Sequence, residues 1–418
     1  MSEVKKRKIE KEKPARLQCE YYLPKKNRRC GMTRKKDQRF CSEHMIHEDN
    51  QERIPCPLDP SHTVWTKDLQ THLKKCNARP KHDPWYELDM NASLNNSTEE
   101  KFEHEDLTEE ELFAKYIAIL KSLQFTPLDV KVSTHQGLTS RLEISSRQKH
   151  ALQQSSLIGN LKSMGLLNPE CFYIEFGCGK GELSRFVNLC ILEDYQTQKD
   201  TEKYGFGFID RGVNRLKQDN RILNDCKDSL QPKLKRTRID IKDLNLDKFI
   251  DDIQPSKIVS ISKHLCGAAT DLTLKSLLNS NIISNDTFGG VLIAMCCRHV
   301  CSYDQLLPQS RQYLYDNGFK TVESFDVLKK LVSWAVSKVR PGETKSEENI
   351  EDASAAKEDV KYGVNPKERE SIGLIARRLI DESRKYALTE ILGEKYHVDI
   401  FKYIDSDTTL ENVALAIV

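Results

Sequence analysis

The segment Cys171-Phe-Tyr-Ile-Glu-Phe176 is a short apolar run that stops at Gly177-Cys-Gly-Lys-Gly181. Residues 182–194 then carry Leu183, Phe186, Val187, Cys190 and Leu192 on one side of a helical period. A strand, a glycine loop and a helix open a doubly wound α/β unit, so the large domain is expected to be α/β with a mostly parallel sheet. The glycines let backbone approach a ligand closely, and the helix start offers free N–H groups. A next strand over 204–209 ends in Asp210, where a carboxylate can accept hydrogen bonds from ribose hydroxyls.

Glu175 precedes the first glycine by two residues. Dinucleotide and phosphate-binding loops place no such acid there, and the loop lacks a Gly-Lys-Ser/Thr ending. An acid at that point can meet the ammonium of a bound amino acid. The pattern Glu-x-Gly-x-Gly-x-Gly with Asp210 resembles the S-adenosylmethionine site of Rossmann-like methyltransferases. That resemblance assigns Glu175, Gly177, Gly179, Gly181 and Asp210 to the cofactor. A third strand over 236–241 would end beside Asp240 and Asp243, where such enzymes often hold adenine. Strands four and five are expected at 258–262 and 290–295, and a closing antiparallel pair at 398–404 and 411–418.

The first 80 residues have a different chemistry. Cys19, Cys30, Cys41 and His44 form one quartet, and Cys56, His62, His72 and Cys76 another. Each is the ligand complement of a tetrahedral structural Zn²⁺, which gives two zinc ions per chain. In the second, His72 and Cys76 stand four apart on one face of a helix. Segments this short cannot build a core, so metal binding would supply much of their folding free energy. The chain has thirteen cysteines and an N-terminus rich in Lys, Arg and Glu rather than an apolar leader. Metal ligation or reduced thiols are therefore expected over disulfides, in an intracellular protein of the cytoplasm and/or nucleus. No stretch approaches the roughly 20 apolar residues that span a bilayer, so no membrane partner is expected.

A formal charge of +2 over 418 residues gives no hint of a polyanionic partner. Counted locally, it divides. Residues 1–36 hold fourteen basic and four acidic groups, and residues 211–242 hold ten and four. Residues 99–111 hold eight acids and one lysine, and 341–361 hold seven acids and three basic groups. The expected organisation is a basic tail at 1–16, metal modules at 17–48 and 52–80, an acidic linker at 81–130 (with a linker or an exposed helix over 91–115) and a methyltransferase domain at 131–418. A disordered acidic insertion is expected at about 341–362.

Titratable groups gather after strands four and five, in Lys263-His-Leu-Cys-Gly267 and Cys296-Cys-Arg-His-Val-Cys301. Three readings fit. The second segment could hold a third metal, although its crowding suits one tetrahedron poorly. Cys266 or Cys297 could be a nucleophile, as in cytosine-5 methyltransferases, but the Pro-Cys and Thr-Cys contexts are absent. Lys263, His264 or His299 could instead orient and deprotonate a hydroxyl beside a methyl donor.

Both quartets, Lys149-His-Ala-Leu-Gln-Gln-Ser-Ser-Leu-Ile-Gly159, the two catalytic-edge segments and Glu368-Arg-Glu-Ser-Ile-Gly373 occur here in one order. The combination closely resembles the eukaryotic tRNA 2′-O-ribose methyltransferases that modify nucleotide four of the acceptor stem. The resemblance runs from about Cys19 to the C-terminus, outside the linker and insertion. It implies a CCCH finger, a CHHC finger, S-adenosylmethionine as donor and a tRNA ribose 2′-hydroxyl as acceptor. The family has paired histidines where this chain has Arg298-His299, so a role for both does not transfer, and Arg298 is free to hold a phosphate. An A-form acceptor stem is read by shape and backbone. Candidates for those contacts are Lys25, Lys26, Arg28, Arg29, Arg34, Lys35 and Lys36, with Arg211, Arg215, Lys235, Arg236, Arg377, Arg378 and Arg384 in the large domain.

Overall fold

The computed structural model describes residues 17–24, 27–47, 53–79, 83–94, 106–144, 148–195, 203–214, 216–227, 229–335 and 361–418. The basic tail, Lys25, Lys26, Arg215 and nearly all of the acidic insertion lie outside the described residues. The chain divides into two compact units, Met1–Asp83 and Pro84–Val418.

In the first unit, β1 (Tyr22–Leu23) pairs antiparallel with β2 (Arg28–Arg29), and β3 (Arg53–Cys56) with β4 (Asp59–Trp65), followed by α1 (Leu69–Lys75). The buried cluster of the first module is Cys19, Cys30 and Cys41 themselves, flanked by half-buried Tyr21, Leu23 and Phe40. Its interior is made of candidate ligands rather than of aliphatic side chains.

The second unit begins with α2 (Glu109–Ser122), α3 (Thr139–Ile144), α4 (Gln148–Ser163), β5 (Cys171–Phe176) and α5 (Glu182–Asp194). Next come β6 (Gly205–Asp210), α6 (Asp219–Asp225), β7 (Lys233–Arg238), α7 (Leu246–Ile250), β8 (Lys257–Cys266), α8 (Ala268–Leu278) and β9 (Phe288–Cys296). Helices α9 (Pro308–Asp316), α10 (Val322–Ser333) and α11 (Pro366–Leu392) lead to β10 (Val398–Lys402) and β11 (Val413–Ile417). The sheet order is β10-β11-β9-β8-β5-β6-β7. Strands β5 to β9 are parallel, and β11 runs antiparallel to both of its neighbours. Successive side chains alternate between two buried faces, as strands covered on both sides require. Tyr173, Phe206, Phe208 and Ile261 pack on one face; Phe172, Ile174, Phe176 and Ile293 pack on the other. The connections leave β5 toward β6 and β7, then return to β8 on its other side. The ligand crevice of such a sheet lies at that reversal, outside the carboxyl ends of β5 and β8.

The structure corrects several expected boundaries. Strand β7 ends at Arg238, because Asp240 accepts a hydrogen bond from the Lys242 amide and caps a 3-10 turn. Strand β8 continues to Cys266 through an irregularity. Pairing stops at Ser262–Ile293 and resumes at Leu265–Met295, so Lys263 and His264 together oppose the single residue Ala294. The region assigned to an acidic linker is largely part of the second unit. Trp85 donates to the Thr237 hydroxyl at 2.8 Å, and Asn91 donates to the carbonyls of Ile241 and Leu244. The acids of 109–111 occupy the first turn of α2, where the helix dipole favours them, behind a Thr108/Glu111 capping box. That helix buries Phe113, Tyr116, Ile117 and Leu120. The end of the supposed insertion is also core: Tyr362 stacks on Phe113 with ring centroids 4.1 Å apart.

Candidate active site and metal centres

In the first quartet the ring nitrogen Nδ1 of His44 lies 3.5 Å from the Cys19 sulfur and 3.4 Å from that of Cys41. The His44 ring is held by stacking on Tyr21 at 4.1 Å. In the second, the Cys56 and Cys76 sulfurs are 3.8 Å apart, and Nε2 of His72 is 3.2 Å from Cys56. Strand β4 carries His62, α1 carries His72, and Cys76 stands just past the helix end. Within each quartet the four ligand atoms all lie within 4.8 Å of one another. That spacing and donor set fit a tetrahedral Zn²⁺. All eight candidate ligands come together as the sequence spacing suggests.

The glycine loop leaves β5 with Gly177, Gly179 and Gly181 at φ of 65°, 50° and 80°, a region side-chain-bearing residues rarely adopt. A Cβ at Gly181 would come within 2.8 Å of the Phe208 ring, whereas one at Gly179 would meet open space. The loop therefore packs down at Gly181 and presents bare backbone at Gly179. Asp210 accepts from the Gly179 amide at 2.7 Å and the Gly212 amide at 2.6 Å, one on each carboxylate oxygen. Each oxygen keeps a further lone pair for a ligand hydroxyl. Arg236, placed among the RNA contacts by sequence, braces this loop instead. It donates to the Gly179 carbonyl, pairs with Asp219 at 2.6 Å and lies over the Phe208 ring.

Glu175 is buried beneath the loop and accepts from both the amide and the hydroxyl of Ser184, at 3.1 and 2.5 Å. Burial pushes its carboxyl up to about 7, against the pull of those two bonds. Asp240 stands two residues past the end of β7, half-exposed. Asp243 does not join the site: it is buried and accepts from the Asp89 amide, holding the 84–94 segment in place.

On the adjacent strand, Lys263 is only 7% exposed, and its ammonium lies 3.0 Å from Nδ1 of His150 on α4. Burial lowers its pKa to about 8, with the nearby carboxylates of Glu182 and Glu175 opposing that fall. A bulge beside a site commonly re-aims a side chain, and the β8 irregularity does this for Lys263. The backbone of His264 shares the bulge; its side chain lies outside the described residues. His299 is half-buried after β9, with Nδ1 buried and without a partner among the described residues. Sequence reading missed His150 and Ser184, although the Lys149–Gly159 motif already contained the histidine.

Arg298 holds no external phosphate. It is completely buried, forks onto Asp381 at 3.0 and 2.8 Å, and also contacts Glu411. Arg384 is likewise buried against Asp271, and Arg377 against Glu411. These arginines of α11 and the β9 end form an internal charged layer, not an RNA surface. Cys301 turns into that layer, 3.0 Å from Arg384. It leaves the expected crowded cluster, and Cys266 enters it from β8. The Cys266 and Cys296 sulfurs are 3.1 Å apart, and that contact holds the Cys266 thiol down to about 6.

A glycine loop at the reversal of an α/β sheet, closed by a reversed terminal strand pair, defines a Rossmann-like methyltransferase, here preceded by two zinc-finger modules. Residues 152–418 match the family model described as Methyltransferase TRM13. Residues 17–45 match the CCCH zinc finger in TRM13 protein, and 53–77 the U11-48K-like CHHC zinc finger. The chain belongs to the TRM13 methyltransferase family. Relatives named tRNA:m(4)X modification enzyme TRM13 include one from Debaryomyces hansenii, 52% identical, with 98% of this chain and 93% of that one covered. Another, from Scheffersomyces stipitis, is 54% identical over 94% of this chain and 98% of its own. That of Saccharomyces cerevisiae is 38% identical over 98% of both. A solved cyclopropane-fatty-acyl-phospholipid synthase-like protein from Lactobacillus casei aligns at 11% identity, covering 74% of this chain and 98% of that one. Its TM-score of 0.23 is too low to carry a conclusion. Among the described residues no helix is long and apolar enough to cross a membrane.

Proposed function

We propose that this enzyme methylates the ribose 2′-hydroxyl of nucleotide four in the acceptor stem of tRNA, with S-adenosylmethionine as donor. The observation that carries the reading is the meeting of the glycine loop after β5 with the bulged, buried Lys263 of β8 on neighbouring strand ends. The full-length relatives, all named for tRNA modification, support the substrate class. The sequence resemblance supports the ribose hydroxyl and its position.

The bare backbone at Gly179 and the spare acceptor capacity of Asp210 fit an adenosyl group. The donor supplies a methyl on a positively charged sulfur with a neutral leaving group. Alignment of the acceptor oxygen is then the main requirement, worth roughly 7–11 kcal/mol when complete. The Glu175 carboxyl sets the field under the loop, and Ser184 fixes its orientation. Lys263, with its pKa near 8, is the group that can take the hydroxyl proton at Nζ, while His150 fixes the amine's direction. Two Zn²⁺ ions hold the finger quartets in shape.

The test is transfer from labelled donor to bulk tRNA followed by nucleoside digestion. Label in a 2′-O-methyl nucleoside mapped to position four is expected. A base-methylated nucleoside would point to Cys266 or Cys297 as a nucleophile and overturn the proposal, as would absence of both transfer and donor binding.

A further inference from the structure

Cys266, Cys296 and Cys297 come from two different strand ends and converge. Cys266 ends β8 and Cys296 ends β9, directly opposite each other in the parallel register. Neighbouring residues on a strand normally point to opposite faces. Cys297 escapes that rule by adopting φ 50° and ψ 47°, a left-handed conformation rare outside glycine. The turn brings its sulfur beside that of Cys296. The three sulfurs then lie within 4.8 Å of one another, the same bound met by both finger quartets.

We propose that Cys266, Cys296 and Cys297 form a third metal site, a three-thiolate centre for a zinc-class divalent ion with its fourth position open to water. The geometry separates this from a disulfide. A disulfide would use two of the sulfurs and leave the third without a role, whereas a tetrahedral ion uses all three. Zn–S bonds of about 2.3 Å set sulfurs about 3.8 Å apart, and the finger pair Cys56–Cys76 shows that 3.8 Å spacing. The Cys266–Cys296 separation of 3.1 Å would open by several tenths of an ångström around an ion. Thiolate ligands select soft or borderline metals such as zinc over magnesium or calcium.

The surroundings complete the case. Three thiolates on a divalent ion leave a net negative charge. Arg377 lies within electrostatic reach of Cys297 and is buried; its Nη2 pairs with Glu411, a carboxylate that also faces the three sulfurs, while its Nη1 lacks any hydrogen-bond partner among the described residues. Cys266 is exposed and Cys297 half-exposed, so the open position faces solvent rather than the core. Three protein ligands plus an exchangeable water is the pattern of reactive zinc sites, whereas the fingers are closed by four ligands. The centre would fasten the carboxyl ends of β8 and β9, three residues beyond Lys263.

Metal content decides the matter. The full chain is loaded with Zn²⁺ under anaerobic, reducing conditions, freed of excess metal and measured by mass spectrometry of the elements. Cys266→Ser and Cys297→Gly are each expected to hold one equivalent less than wild type; glycine suits the left-handed turn, so that variant keeps the fold. Cys226→Ser, outside the triad and able to keep its bond to Asn188, is expected to match wild type. Circular dichroism and thermal melting of each variant verify folding. In the Co²⁺-loaded chain, the thiolate-to-metal absorption should fall in both triad variants. Unchanged metal content in folded Cys297→Gly overturns the proposal, as does a Cys266–Cys296 disulfide in the protein purified without oxidant.

Discussion

At the scale of single residues, the site depends on where two carboxylates and one amine are held. Lys263 is the proton acceptor of the proposed reaction, so it must be neutral to act. Its pKa of about 8 makes the single-turnover rate rise about tenfold per pH unit below 8 and level off above it. Lys263→Met is expected to lose roughly 10²–10⁴ in that rate and to lose the pH dependence, with donor affinity unchanged. Rapid-quench kinetics across pH 6–10 checks both. Asp210→Ala removes the acceptor of the Gly179 amide as well as the proposed contact to the donor's ribose. Donor binding by calorimetry should weaken at least tenfold while thermal melting changes little. The layout of this site is legible in sequence because it lies in contiguous motifs: Glu175 on β5, the three glycines on the loop after it, and Asp210 at the next strand end. The pairing of Lys263 with His150 is not, because a bulge and a packed helix join positions 113 apart in the chain. Basic residues misled for the opposite reason. Arg236, Arg298 and Arg384 have the composition of a phosphate surface, yet each has a carboxylate partner inside the domain.

At the scale of elements, the long helix α11 contributes charge to the interior as well as to solvent. Breaking a buried ion pair leaves one charge stranded, which costs about 3–5 kcal/mol. Asp381→Ala, which leaves Arg298 with only the half-buried Glu411 as a carboxylate partner, should lower stability by up to that amount in urea denaturation, even though residue 381 touches no part of the glycine loop. The 84–94 segment makes a smaller claim. Asn91→Ala would remove the side-chain donor to the Ile241 and Leu244 carbonyls, leaving Ile241 only the Leu244 amide, at a cost of about 1–3 kcal/mol in the same assay. Most strands and the terminal hairpin were visible as apolar runs ending in turn residues. Helix α2 is legible only as an exposed-helix alternative to a linker, and its burial is not, because eight acids at 99–111 outweigh the stripe Phe113, Tyr116, Ile117 and Leu120. Those acids mark where a helix begins, and local charge alone cannot distinguish a helix start from a linker.

At the scale of the whole molecule, the two units have different sources of stability. The first has candidate ligands in place of a core, and the second has a seven-stranded sheet buried on both faces. Chelation should therefore unfold the finger unit while the far-ultraviolet signal of the sheet domain persists; loss of both together would show that the units do not fold separately. Binding to tRNA should weaken steeply with salt, by on the order of 10³-fold between 50 and 200 mM for about six neutralised phosphates. The near-zero net charge conceals that dependence. Strand β11 lies between β9 and β10, although residues 413–417 are translated long after residues 288–296. While the ribosome works through that interval, the nascent β9 has a bare hydrogen-bonding edge, the kind of edge that recruits other strands. The glycine loop and the β8 bulge are thus synthesised early onto a sheet that stays incomplete until β11 emerges. Chains stalled before residue 413 would be products for chaperones or proteases rather than partly active enzymes.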